Sequence, residues 1–357
     1  MNRREFAKLG GVALAGTMLA TPGLSLAAET AKTDPALALK YVAPELRPAA
    51  QSVLDMMASM PPFDAETIRQ PPPEGAQIIA PRLPDIAVEE LSVPGSNGEP
   101  DVTVFVINAG KKGSRPAILH THGGGFILGS AESEVGRLQA LAKDLDCVIV
   151  SVEYRLSPEV TYAQSIEDNY AGLTYLYRNA EKLGVDTTRI AVMGESAGGG
   201  HAALLALTAH DRAEVPICFQ SLIYPMLDDR TGSTRQLPPY IGVIGWDARA
   251  NKFGWESFLG CEPGGANVPI AAVPARREDL SGLPPAFIGV GGVDLFIDED
   301  IEYARRLTDA GVPTELFVTP GAFHGFDQVA AGTSLADQFT KVKMNALRRA
   351  FGQPMVI

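Results

Sequence analysis

The pentapeptide Gly-Glu-Ser-Ala-Gly at residues 194–198 constrains the fold of this chain more than any other feature, because of what surrounds it. An apolar run at 190–193 precedes it, and a helix-prone run rich in Ala and Leu follows it. Small residues on either side of a serine let a strand turn sharply into a helix and expose the hydroxyl. The pentapeptide alone occurs by chance in many proteins. In this context it predicts that Ser196 is a nucleophile at a strand-to-helix turn.

Short apolar runs alternate with helix-like stretches along most of the chain. The apolar runs lie at 117–120, 148–152, 190–193, 219–224, 286–290 and 315–318, and the helix-like stretches at 133–145, 164–183, 197–211, 298–310 and 335–351. This alternation is typical of an α/β protein whose mainly parallel sheet is covered by helices on both faces. Two further segments, 86–93 and 102–108, flank the turn Pro-Gly-Ser-Asn-Gly and predict an antiparallel hairpin at one edge.

Two segments do not fit the alternation. Residues 35–85 are helix-prone and then Pro-rich, and residues 226–270 are rich in aromatics and Gly without a strand-like run. Together they are expected to form a lid over the carboxyl ends of the strands, where open α/β sheets bind ligands. The predicted divisions are a leader at 1–27, the N-terminal part of a helical cap at 35–85, core at 86–225, a cap insertion at 226–270 and further core at 271–357.

The chain begins with the features of an export signal. Arg3, Arg4 and Lys8 give a charged start, residues 9–20 are apolar, and small residues at 25–27 suit a cleavage site. The paired arginines are similar to a twin-arginine signal. We therefore predict a periplasmic or secreted protein. No later run reaches the roughly 18 apolar residues of a spanning helix, so no stable membrane insertion is expected after removal of the signal.

The charge and the cysteines exclude some classes of partner. A net charge of −12 repels phosphate backbones, so we expect no nucleic-acid partner. Cys147 and Cys218 lie in apolar runs, where a buried thiol is the usual state. The sequence also allows a disulfide between them. No cysteine has a Cys or His at metal-ligand spacing, so we expect neither metal nor cofactor. The sequence leaves a homodimer open.

The sequence His-Gly-Gly-Gly-Phe at 122–126 directly follows the predicted strand at 117–120. Such a loop can point backbone N–H groups at a developing oxyanion, because no side chain prevents close approach. A plain Gly-rich turn and a phosphate-binding loop are the alternatives. A phosphate-binding loop would require Gly-Lys-Ser/Thr or G-x-G-x-x-G opening a helix, and neither is present.

The general base is found by elimination among few histidines. If the chain order is serine, acid, histidine, the candidates are His201, His210 and His324. His201 and His210 lie on the helix that begins at the serine, on turns that lead away from its hydroxyl, so we interpret both as packed or surface residues. His324 follows the strand-like run 315–318, where its imidazole can take a proton from the hydroxyl and return it to a leaving alcohol.

The acid should also follow a strand, and Asp294 comes after the run 286–290. Its role is to fix the tautomer of the imidazole and to stabilise the imidazolium. Asp298 and Glu299 are nearby rivals. They begin the next helix, where capping of the helix N-terminus explains them adequately.

Five motifs in this order resemble the hormone-sensitive lipase family of bacterial esterases. They are HGGGF (122–126), YRLSPE (154–159), GESAGGG (194–200), VDLFIDE (293–299) and AFHGF (322–326). The resemblance covers the chain from about residue 86 to its end and implies the α/β-hydrolase fold with a helical cap. By matching positions it also implies that Gly124, Gly125 and Ala197 donate N–H groups to the oxyanion.

This sequence departs from the family pattern at two places. The family often has Asp where Glu195 stands, and Pro-Leu where this chain has Leu295-Phe296. These changes affect the local hydrogen bonds and the shape of the acyl pocket without removing a catalytic group. For the YRLSPE motif we favour a structural role, with an ion pair that fixes the loop.

The predicted function is that of a carboxylesterase, which cleaves small or short-chain acyl esters through an acyl-enzyme. Phe126, Trp246, Trp255 and Phe326 suggest a small hydrophobic pocket, with Phe126 and Phe326 assigned to substrate binding. An amidase or a lactone hydrolase would use the same triad. A non-catalytic small-ligand receptor on the same fold is the third alternative, and the presence of His324 favours catalysis over it.

Overall fold

The computed structural model describes residues 34–61, 63–70, 79–111 and 113–356. The predicted leader at 1–27 lies outside the described residues. Every apolar run predicted to be a strand forms one. The strands are β1 (Val88–Val93), β2 (Val102–Ile107), β3 (Arg115–Thr121), β4 (Val148–Glu153), β5 (Val185–Glu195), β6 (Phe219–Ile223), β7 (Ala286–Gly291) and β8 (Thr314–Thr319).

The eight strands form one sheet in the order β1-β2-β4-β3-β5-β6-β7-β8. β1 pairs with β2, and β2 with β4, in antiparallel register. The other neighbours are parallel, with Leu119 opposite Val192 where β3 meets β5. The predicted parallel sheet with an antiparallel edge hairpin is therefore confirmed, and the carboxyl ends of β3, β5, β7 and β8 lie along the same edge.

Ten α-helices are described. Six of them cover the five predicted helical stretches to within a few residues, two lie in the helix-prone part of 35–85, one lies in 226–270, and a short one follows Gly325. They are α1 (Pro35–Tyr41), α2 (Arg47–Ser59), α3 (Ala131–Asp144), α4 (Tyr162–Arg178), α5 (Ala180–Leu183), α6 (Ala197–Arg212), α7 (Ala248–Leu259), α8 (Ile297–Asp309), α9 (Phe326–Val329) and α10 (Ser334–Ala350). Several begin with side-chain caps, such as Ser130 before α3 and Asp247 before α7, which satisfy free backbone N–H groups.

The strands are apolar on both faces because each face is covered by helices. Successive residues point to opposite sides, so Ile118 and Ile149 belong to one core cluster while Leu119 and Val150 belong to the other. The first cluster is closed by α3 and α10, and the second by α4, α6 and α8. This double covering is what makes the strand sequences read as continuous apolar runs.

The two segments outside the alternation contact each other near the carboxyl edge of the sheet. Tyr41 of α1 stacks on Tyr240, with ring centroids 3.8 Å apart. The ring of Phe63 lies 5.8 Å from that of Trp246. The first segment reaches the loop after β8, where Ala43 donates its N–H to Gly321, and the second reaches the loop after β3, where Trp246 lies against Gly125.

The three cysteines are free thiols, so Cys147 and Cys218 do not form a disulfide. Burial raises the pKa of Cys147 to about 12 and that of Cys218 to about 11, which keeps both thiols protonated near neutral pH.

None of the helices in the described part of the chain is both long enough and apolar enough to cross a membrane.

Candidate active site

Ser196 lies at the sharp turn between β5 and α6. Its φ of 57° and ψ of −123° are rare for a residue with a side chain, and the turn keeps this conformation because its neighbours are small. A Cβ on Gly198 would lie 2.1 Å from the carbonyl oxygen of Thr121, so only glycine fits there. The backbone of Ser196 is also fixed, because its N–H donates to Ile223 and its carbonyl accepts from Met226.

The structure brings together the three side chains that the sequence predicts as a triad. His324 Nε2 lies 2.9 Å from Ser196 Oγ, and His324 Nδ1 lies 2.9 Å from Asp294 Oδ2. Asp294 is fully buried, whereas Ser196 keeps 8% of its surface exposed. The second oxygen of Asp294 accepts the N–H of Phe296, which fixes the carboxylate.

These contacts determine the tautomer of the histidine. A carboxylate only accepts hydrogen bonds, so the proton of a neutral His324 is on Nδ1, facing Asp294. Nε2 then has a free lone pair and accepts the O–H of Ser196. The arrangement can therefore take the serine proton as the hydroxyl attacks, and the imidazolium that results is next to a negative charge.

The glycine loop after β3 lies against the nucleophile. A Cβ on Gly123 would be 3.5 Å from that of Ser196. Gly124 has a φ of 121°, and a Cβ there would be 2.2 Å from the carbonyl oxygen of Leu128, so the loop requires glycine at this position. The carbonyl of Gly124 accepts the N–H groups of Ile127 and Leu128.

The three backbone N–H groups that the family resemblance assigns to the oxyanion are available. Within the described residues, no hydrogen bond occupies the N–H of Gly124, Gly125 or Ala197. Ala197 is the first residue of α6, where the N-terminus of the helix carries partial positive charge. All three belong to the two segments that meet at Ser196.

His122 anchors the start of this loop. Its ring stacks on Tyr154 with centroids 4.1 Å apart, and its Nδ1 lies 2.9 Å from the carbonyl of Gly123. Tyr154 donates its hydroxyl proton to the carbonyl of His122 at 2.7 Å. Burial lowers the pKa of His122 to about 4, so its ring is neutral near pH 7.

Glu195, next to the nucleophile, is the centre of a buried ionic network that the sequence did not reveal. Its two oxygens accept from Arg137 Nη1 at 2.8 Å and from His120 Nε2 at 3.0 Å. His120 also contacts Ser151 on the neighbouring strand. Burial opposes ionisation of Glu195, but Arg137 and His120 together hold the pKa of its carboxyl well below the ordinary value.

The acidic residues after Asp294 did not cap their helix as expected. The structure shows no side-chain cap at the start of α8. Glu299 instead accepts the N–H groups of Leu227 and Asp228, which lie after β6, and Asp298 is exposed. The capping interpretation was wrong because sequence alone does not show that the chain after β6 brings unpaired N–H groups to this helix.

The two phenylalanines assigned to substrate binding are in the core. Phe126 stacks on Phe258 with centroids 3.9 Å apart, and Phe326 packs edge-on against Phe339. Both are at most 1% exposed, so neither side chain forms part of an open pocket wall. Trp255 is buried with Phe126.

Trp246 is the aromatic residue of this group that reaches the catalytic loops. A Cβ on Gly125 would lie 2.3 Å from the edge of its indole, which therefore covers the glycine loop. Its Nε1 donates to Asn251 of α7 at 3.1 Å. Gly245, which directly precedes Trp246, donates its N–H to Met57 Sδ and faces the backbone of His324.

The other predicted positions are structural. His201 is buried, contacts Ser165 Oγ through Nε2, and has its pKa lowered to about 3 by burial. His210 is exposed. The YRLSPE loop is fixed by ion pairs to residues outside the motif: Arg155 pairs with Asp168 and Glu99, and Glu159 pairs with Arg69. No three His, Cys, Asp or Glu side chains of the described residues are arranged to hold a metal ion.

The fold and this arrangement of side chains define a serine hydrolase of the α/β class. A family model described as alpha/beta hydrolase fold matches residues 118–328, more than half of the chain. The chain therefore belongs to this α/β-hydrolase family.

Relatives and solved structures agree with that assignment. The esterase LipI of Mycobacterium tuberculosis (strain ATCC 25618 / H37Rv) is 33% identical over 74% of this chain and 82% of its own. The carboxylesterase NlhH of the same strain is 36% identical over 75% and 84%. A solved structure titled Bacterial Heroin Esterase has 35% identity and a TM-score of 0.74, covering 88% of this chain and 99% of that one. The predicted family, fold and carboxylesterase class are confirmed.

Proposed function

We propose that this esterase cleaves small carboxylic esters with short acyl groups through an acyl-enzyme on Ser196. The observation that carries the proposal is the unbroken line of contacts from Asp294 through His324 to Ser196 Oγ, each 2.9 Å long. Relatives that are named esterases favour an ester substrate over the amide and lactone alternatives.

The first half of the reaction forms the acyl-enzyme. Ser196 Oγ attacks the carbonyl carbon of the ester while its proton passes to Nε2 of His324. The carbonyl oxygen becomes an oxyanion, and the N–H groups of Gly124, Gly125 and Ala197 stabilise it. The bond to the alcohol oxygen then breaks, and His324 returns the proton to the departing alcohol.

The second half releases the acid. Water attacks the acyl carbon and gives a proton to His324 as the new bond forms, and the oxyanion again occupies the same site. The bond to Ser196 Oγ breaks, and the proton moves from His324 to Oγ. Asp294 stays ionised throughout and stabilises the imidazolium in both halves.

Hydrolysis of p-nitrophenyl acetate tests the assignment. We expect Ser196→Ala and His324→Ala each to lower kcat by roughly 10⁴- to 10⁶-fold, because the triad acts as a unit. The matched control is His201→Ala, which removes a buried histidine of α6 that does not touch Ser196. Undiminished turnover in Ser196→Ala would refute the nucleophile assignment.

The preference for short acyl groups is supported by the position of Trp246. Its indole covers Gly125, and Phe63 lies against it, so the space beside the oxyanion donors is limited. We expect Trp246→Ala to raise kcat/KM for the octanoate ester relative to acetate by roughly tenfold, the scale of adding room for a few methylenes. Tyr41→Ala is the control, since Tyr41 is an aromatic residue of the other cap segment that stacks on Tyr240. An unchanged chain-length profile in Trp246→Ala would contradict the proposed limit.

We also propose that the two cap segments, 35–85 and 226–270, form a lid over this site.

We further propose that the leader directs export. Support for export comes from Arg3 and Arg4 and the apolar stretch at 9–20. Fractionation of cells should find the mature chain in the periplasm or the medium, and an Arg3→Lys/Arg4→Lys variant should stay in the cytoplasm. Equal export of both forms would argue against the twin-arginine route.

We also propose that the mature chain forms a homodimer, which light scattering of the mature chain tests.

A further inference from the structure

Arg69 joins the N-terminal segment to the loop that carries the oxyanion donors. Its Nη1 donates to the carbonyl of Ile127 at 2.5 Å, and its Nη2 donates to the carbonyl of Ser157 at 2.7 Å. The same guanidinium pairs with both carboxylate oxygens of Glu159. One side chain from the segment before β1 thus binds a backbone carbonyl directly after the glycine loop and another in the YRLSPE loop.

Both carbonyls belong to buried residues that lack another partner. Ile127 is fully buried and Ser157 is 1% exposed. Among the described residues, no other donor bonds to either carbonyl oxygen. A buried backbone carbonyl without a donor is unfavourable, so Arg69 satisfies two groups that the loop itself leaves open.

These carbonyls are directly connected to the donor residues. The N–H of Ile127 donates to Gly124, and the N–H of Ser157 donates to Phe126. Arg69, Ile127 and Gly124 therefore form a short chain of hydrogen bonds from the N-terminal segment to an oxyanion donor. The carbonyl of Gly124 lies in the same peptide plane as the N–H of Gly125, so these contacts connect the guanidinium to the direction of that N–H.

We propose that Arg69 is a positioning residue for the oxyanion loop, which ties the orientation of its donors to the placement of residues 63–70. The proposal rests on the function proposed above. Arg69 does not touch the reacting atoms, and its effect passes through the carbonyls of Ile127 and Ser157. Its planar, multiply donating guanidinium suits this task, which a lysine cannot reproduce fully.

The test uses the mature protein with p-nitrophenyl acetate and a trifluoromethyl ketone. Ser196 adds to such a ketone and places an oxyanion against the loop donors, so its affinity reports the geometry of the loop. We expect Arg69→Gln to lower kcat and the affinity for the ketone together by roughly tenfold, with KM changed by less than about twofold. Arg69→Lys should recover part of both losses.

Two variants separate this role from general stability. Arg82→Gln removes another arginine before β1, whose ion pair with Glu132 does not contact the loop, and should keep full kcat. Glu159→Gln removes the anion but leaves the two carbonyl contacts, and should keep most of kcat. An unchanged kcat in Arg69→Gln, an equal loss in either of these two variants, or a lower kcat with undiminished ketone affinity would overturn the proposal. An inactive wild-type protein would instead refute the proposed function.

Discussion

Two buried glutamates near the catalytic residues have pKa values that are shifted in opposite directions. Glu195 precedes Ser196, and Arg137 and His120 hold the pKa of its carboxyl well below the ordinary value although burial opposes this. Glu299 lies in the first turn of α8 after Asp294, and burial together with the charge of Asp228 raises its pKa well above the ordinary value. Burial alone therefore does not determine whether a carboxyl beside this site is charged.

The difference lies in the partners that each carboxyl has. Glu195 has a guanidinium at 2.8 Å, whereas Glu299 forms no ion pair among the described residues. Its Oε1 accepts the N–H groups of Leu227 and Asp228, and neither these bonds nor the Thr231 side chain offsets the effect of burial. Asp300, also buried, has its pKa raised by burial and by the charges of Glu299 and Asp294. Glu195, next to the nucleophile, thus belongs to an ion-paired network. Glu299 and Asp300, which follow Asp294 in the chain, are carboxyls that favour the neutral form.

The largest effect on stability is expected from Arg137→Met. This change would leave the charge of Glu195 buried with only His120 beside it, which should lower the free energy of unfolding by about 3–5 kcal/mol. Urea denaturation at pH 7 measures the change. If the variant does not fold, the double variant Arg137→Met/Glu195→Gln, which removes the unpaired charge, should restore a folded protein. A loss below about 1 kcal/mol in Arg137→Met would mean that His120 alone balances Glu195.

An effect that depends on pH, and that stays below the effect of Arg137→Met up to about pH 6, is expected from Glu299→Gln. The folded pKa of Glu299 lies above its unfolded value, so the folded protein keeps a proton that the unfolded chain releases as pH rises above about 4. The wild type should therefore lose stability relative to the variant by about 1.4 kcal/mol for each pH unit above that value, up to the raised pKa. At pH 4 the two proteins should agree to within about 1 kcal/mol.

Denaturation of both proteins across this pH range measures the difference. Glu195 should behave in the opposite sense, since its stabilisation is present above the unfolded pKa and is lost only as pH falls through its lowered folded pKa. A stability difference between wild type and Glu299→Gln that does not change with pH would contradict the contrast between the two glutamates.

The smallest effect is expected from Asp298→Ala. Asp298 is exposed, neither caps α8 nor contacts His324, and lies between the buried Ile297 and Glu299. Its removal should change stability by no more than about 0.5 kcal/mol and should leave kcat for p-nitrophenyl acetate nearly intact. A large loss of activity would indicate that Asp298, rather than Asp294, orients the histidine.

The strands and the convergence of the three side chains could be predicted from the sequence because both have local signals. Apolar runs bounded by turns predicted each strand, and small residues around Ser196 predicted the turn that exposes it. Asp294 and His324 could be found because each follows a strand whose carboxyl end lies on the same edge of the sheet as that of β5.

The residues that support the site have no such local signal. Arg137 is on α3, far in sequence from Glu195, and nothing in either segment indicates that they pair. Arg69 lies in a segment without a strand or helix, and its partners are backbone carbonyls that sequence does not display. The core positions of Phe126 and Phe326 were missed for a similar reason, since an aromatic residue next to a catalytic loop can face either the pocket or the core.

The central claim is that Ser196, activated by His324, is the nucleophile. Diethyl p-nitrophenyl phosphate tests it most directly, because the attacking oxygen displaces p-nitrophenol and keeps the phosphoryl group. Peptide mapping by mass spectrometry after inactivation should find one diethylphosphoryl group per chain on Ser196, with labelling much slower in His324→Ala. Complete inactivation with the label on a different residue, or with Ser196 unlabelled, would contradict the account.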